Sequence, residues 1–301
     1  MPLLRTVAES MSNNTLLQGV VEEIIDREGL LEMLPFQKVT SKALVYNREQ
    51  SLSEGVYLDP NEAIPEEASS VTEHVAKLKI LIGDVDVDKF FDGTMSDTNS
   101  QRAVQIAMKA KGMMRKFKRT LVQGDEGVRA KEFDGINQIC KDTGMELAAG
   151  TNGAALDLAM LDELLSAVKN GADALMMRQG TLNALKQLWR LAGGNTGGQL
   201  QINNFGLMVP AHDGVPIIVN DWVEGNISQG TNTNTASIYA IRFNEADGLH
   251  GLFGGENAGF SLEDIGTVQN KDANRTRLKW YHGLVLKSTQ SMAALRGVTN
   301  I

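Results

Sequence analysis

Asp84, Asp86 and Asp88, alternating with valine in "DVDVD", form the densest group of metal-capable side chains in the sequence. Three carboxylates at that spacing can open a calcium loop, which then requires glycine at its sixth position and glutamate at its twelfth. Lys89 and Met95 stand there instead, so the stretch reads as a solvent-facing strand edge. "GGNTGG", Gly193 to Gly198, has the glycine content of a phosphate cradle. It follows a helical pattern rather than opening one and lacks a Lys-Ser/Thr ending, so it reads as a loop. His74, His212, His250 and His282 show no ligand spacing, and no metal or cofactor is expected. "HDG" at His212 to Gly214 could supply half of an acid–base pair, but no nucleophile accompanies it and it reads as a turn. Cys140 is the single thiol, so no intramolecular disulfide can form. It reads as a small buried hydrophobe in a chain made in a reducing compartment.

With no catalytic constellation in view, the elements themselves carry the argument. At 301 residues, 42% hydrophobic and 22% charged, the chain can bury a large core, expected as two domain-sized units. A net charge of −8 opposes a dedicated nucleic-acid binder. The N-terminus has no signal-peptide apolar region, and no run approaches the ~18 apolar residues of a membrane span.

"TLLQGVVEEIIDREGLLEML" predicts a helix with Gly29 as its C-cap and Pro35 beyond it. "KVTSKALVYNREQ" reads as an outgoing strand, and "EHVAKLKILIGDVDVDKFF" as the clearest strand of all. There Leu78, Ile80 and Ile82 share a face that resumes at Val85 and Val87, a phase shift that predicts a β-bulge at Gly83. A long helix is expected from about Asn99 to Gln123, with Ile106, Ala110, Met113, Phe117 and Leu121 as its apolar face. Further on, "LDLAMLDELLSAV" is a helix, "ADALMM" a short buried strand, and "GTLNALKQLWRLAGG" a helix with Thr181 as N-cap. "GVPIIVNDWV" is a buried strand entered by a sharp turn at Gly214 and left through Asn220-Asp221. "SQGTNTNTAS" is a polar tract before the strand "IYAIRF"; "TRLKWYHGLVLKS" is a long strand and "SMAALRGVTNI" a short tail.

Two charged features stand out along the chain. From Ser51 to Glu73 the chain carries Glu54, Asp59, Glu62, Glu66, Glu67 and Glu73 without one Lys or Arg. A core-free excursion of that length is functional or disordered. The long helix carries Arg102, Lys109, Lys111, Arg115, Lys116, Lys118 and Arg119 around its apolar face. A solvated face is the default reading of such a run. The alternative is that the basic face receives the acidic excursion of a neighbouring copy, opposite charge setting register and encounter rate.

In that order, the elements resemble the major capsid proteins of tailed bacteriophages, of the Hong Kong 97-like α+β fold. "GVPIIVNDWV" is similar to the family's Gly-x-Pro-strand-Asp signature, and "LVQGDEGVRAKEFDGI" to the glycine-rich step with Phe-x-Gly-Ile after the spine helix. "LDELLSAVKNGADALMMRQGTLNALKQL" is similar to the helix-strand-helix of the axial domain. The resemblance implies an N-terminal arm (1–35), an E-loop hairpin (36–92), a spine helix with the peripheral domain (93–150) and an axial α/β domain (151–275). A closing strand and tail (276–301) would return to the peripheral domain. "ISQGTNTNTAS" would then be a loop around the five- and six-fold axes.

The implied function is assembly through pentamers and hexamers into an icosahedral shell around DNA contacted non-specifically, in a virion built in host cytoplasm. A portal, a decoration protein and a separate scaffolding protein are the implied partners, the last because no spare segment precedes the arm. Some relatives join subunits through an E-loop lysine; residues 51–73 hold none, so cohesion is expected to be non-covalent. An encapsulin-type compartment shell, of the same fold, is the alternative, and a cytosolic α/β enzyme the more distant one.

Overall fold

The computed structural model describes residues 29–94, 100–193, 198–202, 207–256 and 259–300. The chain runs through α1 (Leu30–Met33), β1 (Phe36–Lys38), β2 (Ala43–Ser51), β3 (Ser70–Lys77), β4 (Lys79–Asp88), α2 (Lys89–Thr94) and α3 (Gln101–Gln123). Then come α4 (Ile136–Thr143), β5 (Glu146–Ala148), α5 (Leu158–Ala167), β6 (Ala174–Met177), α6 (Gln179–Leu191) and β7 (Gly198–Ile202). These are followed by β8 (Leu207–His212), β9 (Val215–Val219), β10 (Ile227–Gln229), β11 (Asn232–Ile241), β12 (Leu249–Gly254), β13 (Ser261–Thr267), β14 (Ala273–Leu286) and, after a 3-10 turn at Thr289–Ser291, β15 (Met292–Val298).

Period-two apolar patterning builds two sheets. In the first, β14 is the long central strand, with β4 on one side and β12 and β13 on the other, and β1 closes the edge parallel to β12. The second orders β5-β15-β11-β6-β9-β8-β7, with β10 paired to β11. Both faces of this second sheet are covered, so its strands are continuously apolar rather than alternating. Along β11, Ile238 and Ala240 pack with Leu161, Leu164, Leu182 and Leu185 of α5 and α6. Tyr239 and Ile241 point the other way, into a cluster shared with Phe117 and Leu121 of α3 and Trp280 of β14. A third, two-stranded sheet of β2 and β3 stands apart from both.

The spine of the first sheet is α3. Ser100 caps it by accepting the Ala103 N–H at 3.4 Å, and Met113, Phe117 and Leu121 are buried, as the helical spacing requires. The helix stops at Gly124, and the following loop returns so tightly that the Gly135 N–H donates to the Gly124 carbonyl at 2.9 Å. A Cβ at Gly135 would lie 2.6 Å from the Thr120 oxygen, so only glycine permits this approach.

Several expectations are corrected by packing. The helix expected through residues 15–34 falls mostly outside the described residues; within them Gly29 has φ −102° and precedes α1, so it is no left-handed C-cap. The single strand expected from Glu73 divides at Leu78, β3 joining the hairpin and β4 the sheet. There is no bulge at Gly83: β4 pairs with β14 in unbroken register from Lys79 to Asp88. The inward face is Leu81, Gly83, Val85 and Val87, which leaves Ile80 64% and Ile82 49% exposed on the other. Gly83 sits where a Cβ would overlap Lys109 and Met113, so the glycine admits the helix rather than breaking the strand. Thr181 is not the N-cap of α6, since the Arg178 carbonyl already accepts the Leu182 N–H at 3.1 Å. The polar tract is not a loop but the hairpin of β10 and β11, turning at Gly230 with φ +58°. The expected tail is β15, buried beside β11.

Candidate assembly surfaces

The hairpin of β2 and β3 is fixed only at its base. Tyr46 donates its hydroxyl to the Leu286 carbonyl at 3.0 Å, and Arg48 gives Nε to the Lys287 carbonyl at 2.9 Å and Nη2 to that of Leu286 at 3.0 Å. From Ser51 to Glu73 every residue is exposed. Glu54, Asp59, Glu62, Glu66, Glu67 and Glu73 all lie on this projection. Glu62 folds locally, accepting the Asp59 N–H at 3.1 Å. None of the six has an ion-pair partner among the described residues. Sequence reasoning missed the apolar half of the projection. Leu52, Val56, Tyr57 and Ile64 are exposed beside the acids, Ile64 to 81%. A cluster of that kind, exposed among the described residues, is of the sort that marks an interaction surface.

The structure divides the expected basic face of α3 by partner. Arg102 is used within the chain, with Nη2 2.9 Å from the Thr276 hydroxyl and 2.7 Å from Asp264 Oδ2. The Arg115 guanidinium lies 5.5 Å from the centre of the Trp222 ring, a cation–π distance. Lys109 lies over Gly83; the Asp84 carboxyl is held below the usual range chiefly by its hydrogen bond from Arg277, with Lys109 a lesser contributor. Lys118 is half-buried, and Arg119 lines a shallow depression with Asp125 and Glu224. Lys116 is exposed at the lip of a larger groove. The loop carboxylates and these cations do not meet within one chain.

That groove, of about 500 Å³, opens between α3, the loop at residues 129–133 and β4. Buried Phe117 and Phe133 line it with exposed Lys116, Arg129 and Lys131, of which Arg129 is paired with Glu132 at 3.2 Å. His282 of β14 also lines it, only 5% exposed, with its ring edge-on to Phe117 at 4.8 Å and to Phe133 at 5.2 Å. Burial among these rings pushes the imidazole down to about 4, so it is neutral at pH 7. Neither ring nitrogen has a hydrogen-bond partner among the described residues.

Several other titratable groups have their partners or packing within the fold. Asp84 and Asp86 are each held by an arginine directly opposite on β14. Cys140 lies in the core against α3, its thiol pushed up to about 12 by burial. Asp213 and Gly214, with φ of 47° and 79°, form the two-residue turn between β8 and β9. His212 is hydrogen-bonded to Asp162 at 2.8 Å beside that turn.

A spine helix on a long-stranded sheet, a projecting hairpin and a doubly covered α/β unit together make up the Hong Kong 97-like capsid fold. The SrpI encapsulin complex of Synechococcus elongatus PCC 7942 matches with a TM-score of 0.73 at 19% identity, over 99% of this chain and 97% of its own. The capsid of a native GTA particle matches at 0.69 with 10% identity, over 95% of each chain. The capsid of Myoviridae phage XM1 matches at 0.66 with 10% identity, over 99% of each. No protein-family model and no curated protein matches the sequence.

Proposed function

We propose that this chain is the major capsid protein of a tailed bacteriophage, assembling through pentamers and hexamers into an icosahedral shell around double-stranded DNA. The observation that carries this reading is the hairpin of β2 and β3, exposed from Ser51 to Glu73 with apolar and acidic side chains together. Such a projection becomes covered when copies interlock. Contacts between copies that close by rotation give rings, and rings of five and six close a shell. Each subunit then makes several contacts at once, and the later ones act at high effective concentration, so modest individual contacts suffice.

On this reading residues 1–35 are the arm, 36–92 the E-loop, 93–150 the spine and peripheral domain, 151–275 the axial domain and 276–301 the closing strand. The partners are other copies, a scaffolding protein, a portal and a decoration protein. DNA meets the inner surface without sequence preference, in a virion assembled in host cytoplasm. Catalysis forms no part of this reading, since the strongly shifted groups Cys140, Tyr239 and His282 are packed among apolar side chains.

The similarity to the Synechococcus encapsulin supports a second reading, a compartment shell around a protein. Negative-stain electron microscopy of the chain, expressed alone and with its neighbouring genes, tests the proposal. Closed shells or rings support assembly, and nucleic acid or protein in purified shells chooses between the two readings. A uniform small oligomer under both conditions would sink both.

A further inference from the structure

We propose that Asn152 is a modification site, losing ammonia spontaneously in the folded chain to become aspartate or isoaspartate. Asn152-Gly153 and Asn170-Gly171 are the two Asn-Gly pairs of the sequence. In such a pair the glycine nitrogen can close a five-membered ring on the side-chain amide carbon, and no Cβ shields it. The nitrogen loses its proton to water as it bonds to Cγ, the Cγ–Nδ2 bond breaks, and Nδ2 leaves as ammonia. Water then opens the succinimide at either carbonyl. One opening gives aspartate; the other runs the backbone through the side chain.

The attacking groups of the two pairs are alike. The Gly153 N–H donates to the Gly150 carbonyl at 3.1 Å and the Gly171 N–H to that of Val168 at 2.9 Å. The amides they would attack are not. The Thr231 N–H, in the turn between β10 and β11, donates to Asn152 Oδ1 at 3.1 Å. Negative charge develops on that oxygen in the tetrahedral step, so the donor favours it. Asn152 is exposed, and its Nδ2 has no hydrogen-bond partner among the described residues, so ammonia can leave directly into water. Asn170 is tied at the leaving group instead. Its Nδ2 donates to the Ser291 hydroxyl at 2.8 Å and to that of Ser288 at 3.4 Å, and Arg242 holds its backbone carbonyl.

The surroundings give the product a consequence. Residues 147–156 and 225–241, the two stretches that Asn152 joins, carry no charged side chain. They are closely fitted, since a Cβ at Gly230 would lie 2.2 Å from Asn152 Oδ1 and one at Gly153 2.7 Å from the Gly297 oxygen. Deamidation puts a carboxylate into this uncharged surface. The shell reading, on which only this consequence rests, brings copies of the β10–β11 hairpin together around an axis, where like charges repel.

The test holds the full folded chain at mildly alkaline pH and follows mass gain and enzymatic isoaspartate methylation over time. Trypsin places the two asparagines on separate peptides, residues 142–169 and 170–178. Asn152 should react at least about tenfold faster than Asn170, and the two rates should converge in urea. Equal rates in the folded chain, an unreactive Asn152, or a ratio that survives in urea overturns the site. Asn152→Asp should keep the melting temperature of the subunit and lower the yield of closed shells. Wild-type yield from that variant overturns the consequence for assembly and leaves the site standing. A wild-type chain that forms no shell overturns the shell reading without touching the peptide result.

Discussion

Arg277 of β14 grips Asp84 of β4 through two parallel hydrogen bonds, Nε to Oδ1 at 2.7 Å and Nη2 to Oδ2 at 2.9 Å. Arg275 does the same to Asp86 at 2.6 and 2.7 Å, two residues along the same register. The arginine hydrogen bonds hold both carboxyls below the usual aspartate range. A depressed folded value stabilises the fold above the unfolded value near ~4, and the contribution is lost as pH falls through the folded one. Asp84→Asn or Asp86→Asn should each cost about 1–2 kcal/mol at pH 7, a figure kept low because the pairs are partly exposed. Urea unfolding should show this gap closing below pH ~4; a constant gap would mean the charge is irrelevant.

His282 titrates in a different window. Its folded value of about 4 lies below the ordinary histidine value near ~6.5. The unfolded chain therefore binds the proton first, and stability falls as pH drops from ~6.5 to ~4, by roughly 3 kcal/mol from this group. His250, also lowered by burial, contributes with the same sign. The rings of Phe117, Phe133 and Trp280 pack on His282, and Lys79 stands opposite it in register. His282→Phe should remove most of its share of the pH slope; an unchanged slope refutes the assignment.

Cys140 should be silent toward thiol reagents. Its side chain is fully buried and its thiol is pushed up to about 12. A chromogenic disulfide at pH 8 should leave the folded chain unlabelled and give one equivalent after guanidinium is added. Rapid labelling of folded protein would contradict the burial.

Arg48 and Tyr46 fasten the hairpin to the end of β14. Arg48→Ala removes the two hydrogen bonds that its charged group donates to the Leu286 and Lys287 carbonyls, each worth roughly 1.5–3 kcal/mol, and a longer one to the Tyr46 hydroxyl. The effect should be local, with amide exchange accelerating in Ala43–Ser51 and Ser70–Lys77 while β11 and β15 keep their protection. Equal acceleration throughout would mean that the hairpin is not a separate unit.

Assembled particles should dissociate in detergent and heat to single chains of 32.7 kDa. The projection that would meet a neighbour offers carboxylates, hydroxyls and apolar groups but no lysine amine for an amide cross-link. A ladder of multimers on a denaturing gel would show that another lysine performs one.

Helical and strand periodicity determined a good deal before any packing was known. The buried face of α3, the wholly buried β6, the turn at Asp213-Gly214 and the burial of Cys140 follow from side-chain chemistry acting over a few residues. The order of these elements was enough to suggest the capsid fold, because each carries a local signal and their sequence along the chain adds to it. The acidic half of the projecting loop was legible as six carboxylates without a cation; the apolar half was obscured by them.

What only the tertiary structure decided depends on partners distant in the chain. Ile80 and Ile82 look like core and are not, because α3 approaches the opposite face of β4 through the space that Gly83 leaves. Asp84 and Asp86 read as a solvent-facing strand edge, and their partners Arg277 and Arg275, nearly two hundred residues on, emerge only when β4 and β14 come into register. β15 reads as a tail because its burial is supplied by β11, and the groove exists only where α3, β4, β14 and the loop at residues 129–133 converge. Local sequence fixes what an element can be; which face it buries is decided by what arrives against it, and one strand residue's difference in that choice turns every side chain over.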